Sequence, residues 1–186
     1  MRRLIFESER DSRSIGLRGG SMSQVQVGHL LAGAEKVVAR VRYCWLLTEA
    51  ETGGANARPM GRLLPGPNEN DWMIRFITGG LSRKAFDIRR ASKVGLIFQD
   101  ADDAFVVLAG RAMLLEGASS MRQLWKDDYN VYFPDEEDRA NATFVEVNVE
   151  RMELWIRGVT PEPFGLHTAI LERDATAAWR LSPSPD

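Results

Sequence analysis

From Gln24 to Arg40 the apolar residues Val27, Leu30, Leu31, Ala34, Val37 and Val38 recur at three- and four-residue spacing, which predicts an amphipathic helix. The following run, Val41 to Thr48, is dense in β-branched and aromatic residues and predicts a buried strand. Glu51-Thr-Gly-Gly54 makes a tight turn. Residues 55–64 return as a strand whose Pro59 belongs at an edge or bulge, because proline donates no ladder hydrogen bond. After the loop Pro65 to Asp71, Trp72 to Thr78 reads as a strand, and Leu81 to Ala91 as a short helix opening at Ser82, a favourable N-cap type. Lys93 to Gln99 and Ala104 to Glu116 form a long hairpin across the acidic turn Asp100 to Asp103, and a helix begins near Ala118. Val145, Val147 and Val149 alternate with polar residues in a strand from Thr143 to Val149, a second strand follows at Met152 to Ile156, and Thr168–Glu172 with Ala177–Leu181 makes a last hairpin across Arg173-Asp174. Six or more strands with only short helices predict a mainly β protein, a small β-barrel with peripheral helices, whose closure removes exposed sheet edges.

The 186 residues suit one domain, read as 24–183 with a C-terminal hairpin at 165–183. Residues 1–23 read as a disordered extension, and Met22 offers an alternative start to Met1. The extension is too charged for the apolar middle of a secretion signal, and Glu7, Glu9 and Asp11 argue against an organelle-targeting peptide. No stretch reaches the roughly 18 uninterrupted apolar residues of a membrane helix. A net charge of −2 supplies no general basic field, so nucleic acid is not an expected partner. The single cysteine, Cys44, forms no internal disulfide and reads as a small core residue in a reducing, cytoplasmic setting. Two histidines far apart, His29 and His167, make no metal-ligand set. The acidic runs at 100–103 and 135–138 read as solvated turns, and Trp45, Trp72 and Trp125 as core or dimer packing.

The segment that carries chemistry is Phe76-Ile-Thr-Gly-Gly-Leu-Ser-Arg-Lys84. A strand ends in a hydroxyl residue, glycines bend the backbone, and a helix opens on Ser-Arg-Lys. A helix N-terminus favours a bound phosphate. Thr78 and Ser82 add neutral donors, while Arg83 and Lys84 bring the charge that a dianion needs. The competing reading of the segment alone is a capped surface helix with solvated basic residues. Arg58, in Asn56-Ala-Arg-Pro-Met60, lies on a strand expected to pair with the one ending at Thr78, where it would close the phosphate site from the other side; the bland alternative is an exposed strand arginine.

From about Val41 to Pro183 the chain resembles the flavin-binding split-barrel proteins that include pyridoxamine 5′-phosphate oxidase and the general stress flavoproteins. The resemblance rests on the order of Arg58-Pro-Met60, Thr78-x-x-x-Ser82-Arg-Lys84, Val94-Gly-Leu-Ile-Phe98, Leu108-Ala-Gly-Arg-Ala112, Leu154-Trp-Ile-Arg-Gly158 and the ending Leu166-His167, Glu172-Arg173, Trp179 to Pro183. It implies a homodimeric split barrel with flavin mononucleotide (FMN) at the interface. Arg58, Arg83 and Lys84 would hold the phosphate, helped by Thr78 and Ser82, with Met60 and Ile77 near the flavin ring and Trp155 approaching from the other subunit. A flavin ring needs apolar and aromatic walls, while its phosphate needs cations.

The departures bear on the reaction. Where the oxidase carries an Arg-x-His-x-Arg element, this chain reads Gly165-Leu-His167-Thr-Ala169, keeping the histidine, a weak substrate candidate, and neither arginine. Losing that cationic fork removes about 2–4 kcal/mol of substrate-phosphate recognition. Leu63 stands where the family has a lysine, with Arg62 adjacent, and Phe105 replaces a glutamine that meets the flavin's pyrimidine edge. The expectation is an FMN-dependent oxidoreductase acting on a small substrate or reductant other than vitamin B6. The alternatives are a non-enzymatic flavin-binding stress or storage protein and a split barrel holding a deazaflavin; haem is disfavoured because neither histidine sits in a ligand context. No catalytic acid or base stands out.

Overall fold

The structure is a computed structural model and describes residues 15–65, 72–101 and 103–183, with the backbone alone for 15–22. Its elements in order are α1 (Ile15–Arg40), β1 (Tyr43–Glu49), β2 (Ala55–Gly61), β3 (Met73–Gly79), α2 (Arg83–Arg90), β4 (Lys93–Gln99), β5 (Ala104–Leu115), α3 (Ala118–Leu124), a 3-10 turn at Asp127–Val131, α4 (Glu136–Ala140), β6 (Ala142–Ile156), β7 (Ala169–Arg173) and β8 (Trp179–Ser182). The helix predicted from Gln24 begins at Ile15, so the expected extension is helical from there. Glycine at positions 19 and 20 lowers helix propensity without breaking a helix, a cost of about 1 kcal/mol each. Residues 1–14 lie outside the described ones. No helix among the described residues is long and apolar enough to cross a membrane.

All strands pair antiparallel in one sheet ordered β2-β1-β4-β5-β6-β7-β8, with β3 also on β6. β2 stands at an edge, where Pro59 costs the ladder least. The even positions of β1, β4 and the first half of β5 face inward: Leu46, Leu96, Phe98, Val106 and Leu108 are buried. α1 lies over that face, burying Val27, Leu30, Ala34, Val37 and Val38 in the same core. Trp72 is buried edge-on against Trp179, with ring centroids 6.1 Å apart.

One strand replaces the two expected around Glu150. β6 runs unbroken from Ala142 to Ile156, and its register on β5 slips between Ala109↔Arg151 and Gly110↔Val149. The sequence does switch parity there: Val145, Val147 and Val149 are buried, then Met152, Leu154 and Ile156. A parity switch reads as a chain break when strands are taken as ideal. A β-bulge achieves it by inserting one unpaired residue while the strand continues, with extra bend and twist. The acidic run at 135–138 likewise forms part of α4, whose N-cap Asp135 accepts from the Asp138 amide at 2.8 Å.

Cys44 sits in this core with its thiol donating toward the Met60 carbonyl at 3.8 Å. Burial pushes its pKa up to about 12, against smaller opposing effects of a backbone hydrogen bond and Arg62. Thiolate is the reactive form, so the native protein is expected to resist a disulfide reagent at pH 8 for hours and to react in full in guanidinium. Labelling of the native thiol within minutes would show this core to be open.

Candidate functional site

The expected pairing of β2 with β3 does not occur. Among the described residues β2 pairs only with β1, and β3 lies along β6, with Thr78 opposite Thr143. Among the described residues, one backbone bond, Leu63 N–H to the Arg75 carbonyl at 2.8 Å, links the chain after β2 to β3. A cleft of about 950 Å³ opens beside this junction. Met60, Ile77, Thr78, Gly79 and Lys84 are among its lining residues. The connection between β5 and β6 supplies the opposite wall through Lys126, Asp128, Tyr129 and Phe133, with Val131 and Tyr132 at the rim. The Arg42 guanidinium donates to the Tyr132 hydroxyl at 3.3 Å, and Arg62 donates to the Val41 and Ala39 carbonyls at 3.3 and 2.9 Å, tying the rim together. Among the described lining residues, Arg40, Arg42, Arg62, Lys84 and Lys126 are accompanied by Asp128 as the one acid. The field inside the cleft is therefore positive although the chain is not.

The turn from β3 into α2 is set by close backbone packing. The Gly80 N–H bonds to the Asn141 carbonyl at 2.6 Å, and a Cβ on Gly80 would sit 3.1 Å from that oxygen. Ser82 occupies the N-cap position, yet its side chain makes no cap bond; its hydroxyl lies 3.5 Å from that of Thr78. Thr78 is buried, Ser82 is half-buried, Arg83 is exposed, and none of Arg58, Ser82 and Arg83 lines the cleft. Lys84 is half-buried at its edge. Desolvation lowers the Lys84 pKa, and the nearby charge of Arg58 lowers it further.

Arg58 is neither exposed nor free. It shares a face of β2 with Asn56 and Met60, and its Nη2 donates to Asp87 Oδ2 on α2 at 3.1 Å. Thr48 Oγ1 and Asn56 Nδ2 donate to the same oxygen at 2.7 and 3.1 Å. Burial pushes the Asp87 carboxyl up, but these bonds from Thr48, Arg58 and Asn56 together hold it below the usual carboxylate range. The other terminal nitrogen, Arg58 Nη1, is buried with no partner among the described residues. A buried guanidinium nitrogen left unpaired costs free energy unless something binds there. Arg58 and Lys84 thus present two neighbouring cations, one of them with an orphaned donor, where β2 meets α2.

Trp155 lies elsewhere. On β6 it stands opposite Phe105, twelve positions from Thr143, roughly 40 Å of strand away. His167 is exposed in the turn before β7. Sequence reasoning missed Asp87, Thr48 and Asn56, and missed the wall from Lys126 to Phe133. The one signal for Asp87 was an acid beside Ala85 and Ile88 on the buried face of a short basic helix, where a charge must find a partner.

A mainly β antiparallel sheet with few helices and a cation-lined cleft defines the class of protein. The family model described as pyridoxamine 5′-phosphate oxidase like matches residues 32–170, and the chain belongs to that family. No curated protein matches it. Among solved structures, it is similar to a protein of Clostridium acetobutylicum related to general stress protein 26 of B. subtilis, of the pyridoxinephosphate oxidase family, at 20% identity over 77% of this chain and 94% of that one, with a TM-score of 0.63. It is also similar to a pyridoxamine 5′-phosphate oxidase-related, FMN-binding protein of Nostoc punctiforme, at 16% identity over 91% and 98%, TM-score 0.61. General stress protein 26 of Bacillus anthracis aligns at 17% identity over 68% and 93%, TM-score 0.55. At these identities the likeness shows the fold.

Proposed function

We propose that the cleft binds FMN between two copies of this chain and that the protein is an FMN-dependent oxidoreductase of a small substrate, working in a reducing, cytoplasmic setting. One observation carries the reading: the buried Arg58 Nη1, without a partner among the described residues, lies beside Lys84, which lines a cleft together with Met60 and Ile77. Two cations with a spare buried donor fit a phosphate dianion, and Thr78 with Ser82 adds neutral donors. Arg83 contributes a further cation from the solvent side. Met60 and Ile77 would face the ring, with Tyr129 and Phe133 across the cleft. Bound FMN would supply hydride or electron transfer; the chain's own part is to hold the phosphate, flank the ring and limit water. In this reading the Leu63–Arg75 bond marks the closing seam of the split barrel.

The second copy is supported by the sheet's outer face. Pro59, Trp45, Ile97 and Val107 stand in cross-strand register on β2, β1, β4 and β5, and Phe105 lies opposite Trp155 on the same face. Trp45 is 52% exposed there. An apolar row of this length suits a partner of the same surface, and dimerisation would let the partner subunit's Trp155 reach a cleft that its own chain's cannot. Ile97→Lys is expected to convert a dimer into a monomer in analytical ultracentrifugation. A monomeric wild type would end the interface reading.

The function itself is tested by identifying what co-purifies and by titrating flavin-free protein with FMN. The expected result is a yellow protein with absorbance in the blue, a bound mass equal to FMN, and bleaching by a reduced nicotinamide. Failure to bind FMN at any concentration tried would remove the assignment.

A further inference from the structure

We infer that Asp87 is a positioning residue, which holds the Arg58 guanidinium by Nη2 so that Nη1 stays turned to a bound phosphate. The inference rests on the FMN reading of the cleft. Three donors from three places in the chain, Thr48 on β1 and Asn56 and Arg58 on β2, converge on the single oxygen Oδ2 of this α2 carboxylate. Asp87 is 7% exposed, and the side chains of the ion pair are 10% and 19% exposed. Such a carboxylate cannot swing, because each donor fixes one direction of approach. The arginine stem is long and flexible, and without Asp87 the like charge of Lys84, whose pKa burial and then Arg58 lower, would repel the guanidinium. Asp87 offsets that repulsion. It also uses up one terminal nitrogen of the fork and leaves the other buried without a partner. A fixed fork loses less rotamer freedom when an anion arrives.

Through-space charge alone predicts the opposite of positioning. Deleting a negative group near an anion site strengthens binding by simple Coulomb attraction. If Asp87 acts through Arg58, deletion weakens binding instead. The two accounts differ in sign.

The test uses flavin-free protein titrated with FMN and with riboflavin, the same ring system without the phosphate, followed by quenching of flavin fluorescence. In Asp87→Asn the FMN dissociation constant is expected to rise about tenfold, the effect of one charge-assisted hydrogen bond of about 1.4 kcal/mol, while riboflavin affinity stays within about twofold. In an Arg58→Ala background, at higher protein concentration, Asp87→Asn is expected to change FMN affinity no further. Asn56→Ala removes one donor, keeps the charge, and serves if Asp87→Asn does not fold; it is expected to weaken FMN severalfold and spare riboflavin. Equal or tighter FMN binding by Asp87→Asn overturns the inference. So does a parallel loss of both ligands, which marks a structural role, or an undiminished effect without Arg58. A wild type that binds no FMN overturns the site reading itself, whereas the other failures strike Asp87 alone.

Discussion

Replacing Arg58 and Lys84 together by alanine is expected to weaken FMN binding by about a hundredfold to ten-thousandfold. Each removes a charge-assisted bond worth about 1.5–3 kcal/mol, and tenfold in affinity corresponds to about 1.4 kcal/mol. The two substitutions differ in their second effect. Lys84 is half-buried and makes no ion pair with Asp87, so its removal leaves no buried charge unpaired. Arg58 is the ion-pair partner of buried Asp87, and its loss leaves that carboxylate unpaired, a change that costs about 3–5 kcal/mol in buried pairs. Arg58→Ala is therefore expected to lower the melting temperature as well as the affinity, and Lys84→Ala the affinity alone. Arg90→Ala, at the far end of α2 where the side chain pairs with Glu49, should leave FMN binding unchanged. Isothermal titration with FMN and differential scanning calorimetry of the four proteins separate these effects. Full flavin retention by the double variant at micromolar dilution would remove the phosphate site from Arg58 and Lys84.

A large stability effect from packing alone is expected at Gly110. A Cβ there would lie 2.9 Å from the Asn148 carbonyl carbon and closer still to its oxygen, with Val149 Cα at 3.0 Å. All three atoms are backbone of β6, directly at the bulge, and cannot yield without breaking the β5–β6 ladder. Gly110→Ala is thus expected to destabilise by about 3 kcal/mol or more, the upper range for overpacking. For a domain of this size that is a fall of roughly 6–12 °C in melting temperature. Gly28→Ala is the control: on exposed helical backbone with nothing within 4 Å of the new Cβ, it is expected to stabilise by about 0.5–1 kcal/mol. A Gly110→Ala protein that melts within 2 °C of wild type would mean that β5 and β6 do not approach this closely.

Much of the element list was legible because burial follows period two in strands and period 3.6 in helices. The hairpin of β4 and β5, the edge position of Pro59 and the closing hairpin of β7 and β8 all follow from alternation and turn chemistry. The parity switch at Glu150 was visible too, but local pattern does not tell a bulge from a break. The difference lies in whether a partner strand, here β5 with Gly110, continues past the irregularity.

For the site, the residue types were legible and their arrangement was not. Thr78, Lys84, Met60 and Ile77 do meet around one cleft. Arg58 does not line that cleft; it lies beside Lys84, held not by strand pairing with β3 but by the carboxylate of Asp87 across the interface of β2 with α2. The chain by itself determined the strands, the helix over the core, and the Ser-Arg-Lys opening of α2, because these depend on neighbours in sequence. The tertiary structure alone decided which cation is held, by what, and which nitrogen is left over. Those depend on groups 29 to 39 positions apart whose charges find one another only after the sheet has formed.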